Sequence, residues 1–127
     1  FRFYNAPAGN YFIVVKQRNT VETWSGSAIN YLPLSTFNYN FTNASSQAFG
    51  NNMNLADASP ERYAIFSGDV NQDGTIDASD LSVVENDVAN SVSGYVVTDL
   101  TGDDFVDGSD LSFVENNVAL GVVAITP

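Results

Sequence analysis

Two acidic stretches decide the fold of this chain: Asp69-Val-Asn-Gln-Asp-Gly-Thr-Ile-Asp-Ala-Ser-Asp80 and, thirty residues later, Asp99-Leu-Thr-Gly-Asp-Asp-Phe-Val-Asp-Gly-Ser-Asp110. Each has acidic or polar side chains at its first, third, fifth, ninth and twelfth positions. When residues 68–89 are aligned with residues 98–119, twelve of twenty-two positions are identical. The second half of the chain is therefore an internal repeat of two equivalent units.

The spacing of these side chains is the oxygen-ligand pattern of an EF-hand-type calcium loop. The predicted ligands of the first loop are the side chains of Asp69, Asn71, Asp73, Asp77 and Asp80 and the main-chain carbonyl of Thr75. Those of the second loop are Asp99, Thr101, Asp103, Asp107 and Asp110, with the carbonyl of Phe105. The sequence therefore predicts two bound Ca²⁺ ions.

The two loops differ at the third and sixth positions. The sixth position needs a sharp turn, which Gly74 makes easily in the first loop, whereas Asp104 occupies it in the second. Aspartate tolerates left-handed backbone geometry better than most residues, so the second turn remains feasible. Since Thr101 also offers a neutral hydroxyl at the third position, we expect both loops to bind calcium and the first to bind more tightly. Ile76 is expected to face away from the metal and pair with Val106.

A helix is predicted after each loop. Apolar residues recur at helical spacing and give each helix one apolar stripe: Leu81, Val84 and Val88 in the first, and Leu111, Val114 and Val118 in the second. Asp80 and Asp110 close the loops where the helices begin, and Ser79 and Ser109 are predicted close to the N-cap positions. The apolar tail, residues 119–127, is expected to pack on the rest of the chain.

Charge is distributed unevenly along the chain, whose formal net charge is −11. Residues 67–127 hold twelve of the fifteen acidic residues and no Lys or Arg. Divalent cations are the natural counter-charge for such a segment, so removing calcium is expected to unfold it. With no basic patch to neutralise phosphates, nucleic acid is excluded as a partner.

Composition excludes several kinds of chemistry. The chain has no cysteine and no histidine, which excludes disulfides, thiol catalysis and histidine acid–base chemistry. No apolar run is long enough for a transmembrane segment. Because the chain begins at Phe1 without a signal-like stretch, we expect it to be the C-terminal part of a longer protein.

The first half, residues 1–66, has the alternating and β-branched pattern of strands. We predict strands in residues 1–4, 11–18, 20–25, 36–42 and 63–66, with Phe37, Tyr39 and Phe41 facing inward. Four or five strands would make an incomplete antiparallel β-sandwich, because a typical sandwich needs about seven. The missing strands could come from upstream sequence, the second half or a neighbouring molecule, and a small self-contained sheet is the alternative.

The fold class is therefore predicted as α+β, with a β-sandwich-like module in residues 1–66 and a helical calcium-binding domain in residues 67–127. Two glycosylation sequons lie together in the first part, at Asn40 and Asn43. Asn40 falls on the polar face of its predicted strand, where a glycan would be sterically feasible.

The repeat resembles the dockerin family: two calcium loops, each followed but not preceded by a helix, with Asp at the twelfth position. The residues that carry the resemblance are Gly68-Asp-Val-Asn-Gln-Asp-Gly-Thr-Ile-Asp-Ala-Ser-Asp-Leu81 and the corresponding residues 98–111, and it covers about residues 67–120. Tyr11-Phe-Ile-Val-Val-Lys-Gln-Arg-Asn19 is similar to β-rich modules that precede such domains in large secreted bacterial proteins. The resemblance implies an extracellular, non-catalytic module that binds calcium and attaches one protein to another.

In cellulosomal dockerins the partner is a cohesin, recognised at the end of each loop and along the following helix. The resemblance places partner binding at Ser79, Glu85, Asn86, Ser109, Glu115 and Asn116. The family usually has hydroxyl pairs and basic residues at several of these positions, whereas this chain has no basic residue there.

Three functions remain open from the sequence. The first is a calcium-stabilised structural or assembly module of a bacterial surface protein, such as a self-associating filament subunit. The second is a dockerin that anchors a secreted enzyme to a cohesin scaffold. The third is an enzyme using Glu85 and Glu115 as a carboxylate pair. We disfavour catalysis, because these two glutamates are repeat-equivalent and lie on solvated helix faces.

Overall fold

The computed structural model describes residues 6–127. It contains short strands followed by two helices, which confirms the α+β class. The elements are β1 Gly9–Tyr11, β2 Val14–Val15, β3 Thr23–Trp24, β4 Ile29–Tyr31, β5 Asn54–Ala58, β6 Glu61–Ala64, α1 Ala78–Ala89 and α2 Gly108–Leu120, with short 3-10 turns at Ser45–Gln47 and Phe49–Asn51.

The described strands pair as three separate antiparallel ribbons. β1 pairs with β4, β2 pairs with β3, and β5 pairs with β6. The β5–β6 ribbon is the longest, with Asn54 opposite Ala64 and Ala58 opposite Glu61. Residues 6–127 therefore do not form the two packed sheets of a sandwich.

Several strand predictions need correction. The predicted strand 11–18 is divided between β1 and β2, which pair with different partners. Residues 36–42 form no strand at all. Their alternating aromatic rings pack against one another instead: Phe37 and Tyr39 are stacked with centroids 6.2 Å apart, and Tyr39 and Phe41 meet edge to face with centroids 4.7 Å apart. Phe37 is exposed rather than inward-facing.

Other predicted strands fare differently. The strand predicted at residues 20–25 shortens to β3, and the one at residues 63–66 is present as β6, shifted by two residues toward the N-terminus. β5 lies in a stretch rich in Asn, Ala and Ser that carries no strand pattern, and all five of its residues are exposed. The predicted strand 1–4 lies outside the described residues.

The two helices begin with the same cap. Asp77 is the N-cap of α1 and Asp107 is the N-cap of α2. Each of these side chains accepts a hydrogen bond from the main-chain N–H two residues later. The side chain of the acidic residue at the third helical position in turn accepts a hydrogen bond from the main-chain N–H of the cap residue. Ser79 and Ser109, predicted close to the N-cap positions, lie two residues after the caps, inside the first turn. A carboxylate at the cap position stabilises the exposed N–H groups better than a serine already inside the first turn.

The core lies between the helices and the loops that precede them. The predicted stripes are confirmed, since Val84 and Val114 are fully buried and the other stripe residues pack against them. Ile76 and Val106 from the two loops belong to the same cluster, as does Val122 from the tail. The tail therefore packs on the core, as expected.

Contacts cross between the two halves of the chain. Val21 is 0% exposed and belongs to the core cluster of the helical half. A main-chain hydrogen bond joins Gly68 N to Asn19 O at 2.7 Å. The domain boundary at residues 66/67 stays a prediction, but the N-terminal half supplies part of the helical half's core. None of the helices in residues 6–127 has the length and hydropathy that a membrane span requires.

Candidate calcium centre

The first loop is built around Asp69, which is 2% exposed. Its two carboxylate oxygens accept hydrogen bonds from the main-chain N–H groups of Asp73 and Gly74, each at 3.1 Å. Asn71 donates its side-chain amide to Asp73 at 2.9 Å and to the Ser79 hydroxyl at 2.8 Å. These bonds curl residues 69–79 into a closed loop with its polar side chains gathered together.

Asp80 closes this loop from the helix. It is fully buried, and its Oδ1 accepts from the N–H groups of Val70 at 2.9 Å and Asn71 at 3.2 Å. Its Oδ2 accepts from the N–H of Asp77 at 3.0 Å. One carboxylate therefore fixes the start of the loop against the start of α1.

The second loop repeats this arrangement. Asp110 is fully buried and accepts from the N–H groups of Leu100, Thr101 and Asp107 at 2.7, 2.9 and 2.9 Å. Asp99 accepts from Gly102, Asp103 and Asp104 at 2.7 to 3.2 Å. The predicted loop ligands at the first and twelfth positions thus have the same main-chain partners in both repeats, with one additional bond in the second.

The sixth position of each loop has the expected left-handed turn. Gly74 has φ of +90° and Asp104 has φ of +69°. Aspartate therefore does adopt the turn that glycine makes without strain, at a cost of roughly 1 kcal/mol or more. The backbone path is conserved between the repeats even though the residue is not.

The loops join each other through the segments that leave the helices. Thr75 of the first loop pairs with Val123 after α2, and Phe105 of the second pairs with Ser93 after α1. Ile76 N donates to Val122 O at 2.9 Å, and Val106 N donates to Val92 O at 3.0 Å. The predicted pairing of Ile76 with Val106 is therefore refined, because both lie in one core cluster while their main chains bond to the exit segments.

Burial and hydrogen bonding act on the loop carboxylates in opposite directions. Burial raises the pKa of Asp69 above its ordinary value, and the charges of Asp80 and Asp73 raise it further. Burial also raises the pKa of Asp110, but the main-chain N–H groups of Asp107, Thr101 and Leu100 outweigh it, so the net pKa is lowered. The Ser79 hydroxyl and N–H lower the pKa of Asp77.

The donor set of the loops suits calcium. Asp69, Asp80, Asp99 and Asp110 are 0–2% exposed, and the one ion pair in residues 6–127 is Lys16–Glu22, which includes none of them. Burying carboxylates without counter-charge is costly, so a hard cation bound by oxygens would stabilise this arrangement. Within the described residues no three acidic groups converge closely enough to hold a metal by themselves. The predicted ligands also include an amide oxygen and main-chain carbonyl oxygens besides the carboxylates, and the assignment of all twelve ligands stays a prediction.

All six predicted partner-binding residues, Ser79, Glu85, Asn86, Ser109, Glu115 and Asn116, are exposed. The structure adds two neighbours that the sequence reasoning missed, since Val83 is 39% and Phe113 is 47% exposed. Both are apolar residues that lie off the apolar stripe at equivalent positions of the two repeats, and this recurrence could have indicated an exposed apolar surface from the sequence. Leu120 at the end of α2 is 68% exposed. The exposed helix surfaces therefore combine acidic, amide and apolar side chains.

The two sequon asparagines, Asn40 and Asn43, are also exposed. Asn40 lies in a turn rather than on a strand, and its side-chain oxygen accepts from the N–H and hydroxyl of Thr42, both at 2.8 Å. Glycosylation at either residue stays a prediction.

Residues 67–119 match the family model of the dockerin type I domain. The C-terminal part of this chain is a dockerin domain. No curated protein and no solved structure matches the chain significantly. Dockerin domains bind calcium, attach to a protein partner and occur in extracellular or cell-surface proteins, so this part of the chain is a calcium-dependent protein–protein interaction module. Dockerin domains are themselves non-catalytic.

Contacts from the N-terminal half to the dockerin loops were not predicted. Gln72 donates to Thr20 O at 3.2 Å, and Arg18 donates to Asp99 O at 3.2 Å. The Arg18 guanidinium also lies 3.7 Å from the centroid of the Tyr95 ring. No sequence periodicity signals such bonds, because they depend on how distant segments meet.

Proposed function

We propose that this chain is a calcium-stabilised structural module that assembles a bacterial surface protein outside the cell, in the form of a self-associating filament subunit. It binds two Ca²⁺ ions through the twelve loop residues predicted above. The dockerin loops hold the second half together, and the N-terminal half offers the surface for association.

The open edge of β5 carries this proposal. All five residues of Asn54–Ala58 are exposed, and within residues 6–127 β5 pairs with β6 alone. A strand with an open edge is a template for strand addition from another molecule. Charge does not oppose such contacts, because the described N-terminal half carries Lys16, Arg18 and Arg62 against Glu22, Asp57 and Glu61.

A second candidate is a dockerin that anchors a secreted enzyme to a cohesin scaffold. The observation that favours it is the exposed apolar surface of α2, where Phe113 and Leu120 flank Glu115 and Asn116. A partner that fits this surface would present apolar groups and basic residues, because no basic side chain lies in residues 67–127.

Analytical ultracentrifugation and electron microscopy of the purified chain with calcium distinguish the two candidates. Self-association through β5 predicts oligomers or filaments that disperse when Leu55, which is 48% exposed on that strand, is replaced by proline. The Leu120→Asp variant is the control and should still associate. A wild-type chain that stays monomeric at high concentration would contradict self-association, and capture by a cohesin that is lost in Leu120→Asp would establish the second candidate.

A further inference from the structure

One buried asparagine in the N-terminal half contacts the start of the second calcium loop with its side chain and the residue before the first loop with its main chain. Asn19 is 4% exposed, and its side-chain Nδ2 donates to Val97 O at 3.1 Å and Asp99 O at 3.3 Å. Its own main-chain oxygen accepts from Gly68 N at 2.7 Å. Gly68 immediately precedes the first loop, and Asp99 is the first residue of the second loop.

These contacts fall where the two repeats begin. An offset of thirty residues relates Gly68 to Thr98, and the Asn19 side chain contacts Val97 and Asp99 on either side of Thr98. We propose that Asn19 is a positioning residue that holds the start of the second calcium loop through its side-chain amide and fixes it next to the entrance of the first loop through its main-chain oxygen. This proposal rests on the proposed binding of two calcium ions.

The neighbours of Asn19 support the same role. Arg18 provides a second donor to Asp99 O, and Gln72 of the first loop donates to the main-chain oxygen of Thr20. Val21, two residues after Asn19, is buried in the core that both loops share. Segment 18–21 therefore contacts the first loop, the second loop and the core between them.

The cost of losing a hydrogen bond predicts how removing the Asn19 amide should change the calcium affinity of the second loop. Removing the Asn19 amide takes away its hydrogen bond to Val97 O and leaves Asp99 O with the Arg18 guanidinium alone among the described residues, so the start of the second loop should loosen. Calcium would then have to order Asp99 as well as bind to it. The second loop is predicted to bind calcium more weakly than the first, and Asn19 partly offsets this difference in affinity by holding the start of the second loop in place.

The test is a calcium titration of the isotope-labelled full chain followed by NMR. The amide signal of Gly74 reports on the first loop and that of Gly102 on the second. In the wild-type chain the first loop should fill at a lower calcium concentration than the second. In Asn19→Ala the midpoint of the second loop should rise about tenfold, and the midpoint of the first should change much less.

The controls separate positioning from general stability. Asn30→Ala also removes a side-chain amide bond, to Asn10 at 3.0 Å, at a place away from both loops, and should leave both midpoints unchanged. If Asn19→Ala does not fold, Arg18→Ala removes the other donor to Asp99 O and should raise the second midpoint about threefold, with Arg62→Ala as its control.

Equal shifts of both midpoints, or no shift in either variant, would overturn the role of Asn19 in positioning the second loop. A wild-type chain that binds no calcium would instead overturn the proposed function, so the two failures are distinguishable.

Discussion

The two calcium loops have the same backbone and different chemistry. Asp80 and Asp110 accept bonds from equivalent main-chain groups, and Gly74 and Asp104 share the left-handed turn. Each loop pairs with the exit segment of the other repeat's helix. The difference in calcium affinity that we expect must therefore arise from the side chains at the third and sixth positions rather than from the fold.

The largest expected effect is that of removing calcium from both loops. With a dissociation constant near micromolar and calcium near millimolar, each ion would stabilise the fold by roughly 4 kcal/mol. Because the dockerin half buries four carboxylates that form no ion pair with any basic residue among residues 6–127, EGTA should abolish the helical circular-dichroism signal of residues 67–127. Adding calcium back in excess is the control, and a spectrum unchanged by EGTA would refute the dependence.

The next effect compares the acids that close the loops. Asp80→Asn and Asp110→Asn each remove a buried charge that binds three main-chain N–H groups and is predicted to bind calcium, at a cost of about 3 kcal/mol. In saturating calcium, Asp80→Asn should lower the free energy of unfolding more than Asp110→Asn, because the first loop binds more tightly. Urea denaturation measures both. Glu115→Gln, at an exposed acid, should change little, and a larger loss for Asp110→Asn would reverse the ranking of the loops.

A smaller effect should appear when the second loop is made like the first. Combining Thr101→Asn with Asp104→Gly supplies an amide oxygen at the third position and relieves about 1 kcal/mol of backbone strain at the sixth. The calcium affinity of the second loop should therefore rise roughly tenfold. Calorimetric titration measures this rise. The reciprocal Gly74→Asp change should lower the affinity of the first loop by a similar factor. If neither substitution alters the calcium affinity, Thr101 and Asp104 would not explain why the first loop is expected to bind calcium more tightly than the second.

How much the sequence could predict differs between the halves. The spacing of acids and apolar residues predicted both loops and both helices, because each depends on neighbours within about twelve residues. The ribbons depend on contacts between distant segments, such as Val21 with the dockerin core, and no local period encodes these. The alternation at Phe37, Tyr39 and Phe41 serves ring stacking rather than a strand.

The smallest expected effect concerns the ion pair beside the first loop. Lys16 and Glu22 lie 2.5 Å apart and line a cavity of about 230 Å³ together with Asp69 and Asp73. The hydrogen bond from Lys16 lowers the pKa of Glu22 below its ordinary value of 4.5. The stabilisation is therefore complete above pH 4.5 and is lost as the pH falls through the lowered pKa of Glu22.

Glu22→Gln should consequently lower the free energy of unfolding by less than about 1 kcal/mol at pH 7, and the difference from wild type should vanish in acid. Denaturation at several pH values, in saturating calcium, measures it. Glu61→Gln in the β5–β6 ribbon is the control. A difference that persists unchanged below the pKa of Glu22 would show that the pair does not act through its charge.

The central claim is that the repeat binds two calcium ions with the loop residues assigned here. Equilibrium dialysis of the full chain against labelled calcium tests this most directly. The account predicts two ions per chain for the wild type, and one each for Asp69→Asn and Asp99→Asn. Binding of no calcium, or of two ions by both variants, would contradict it.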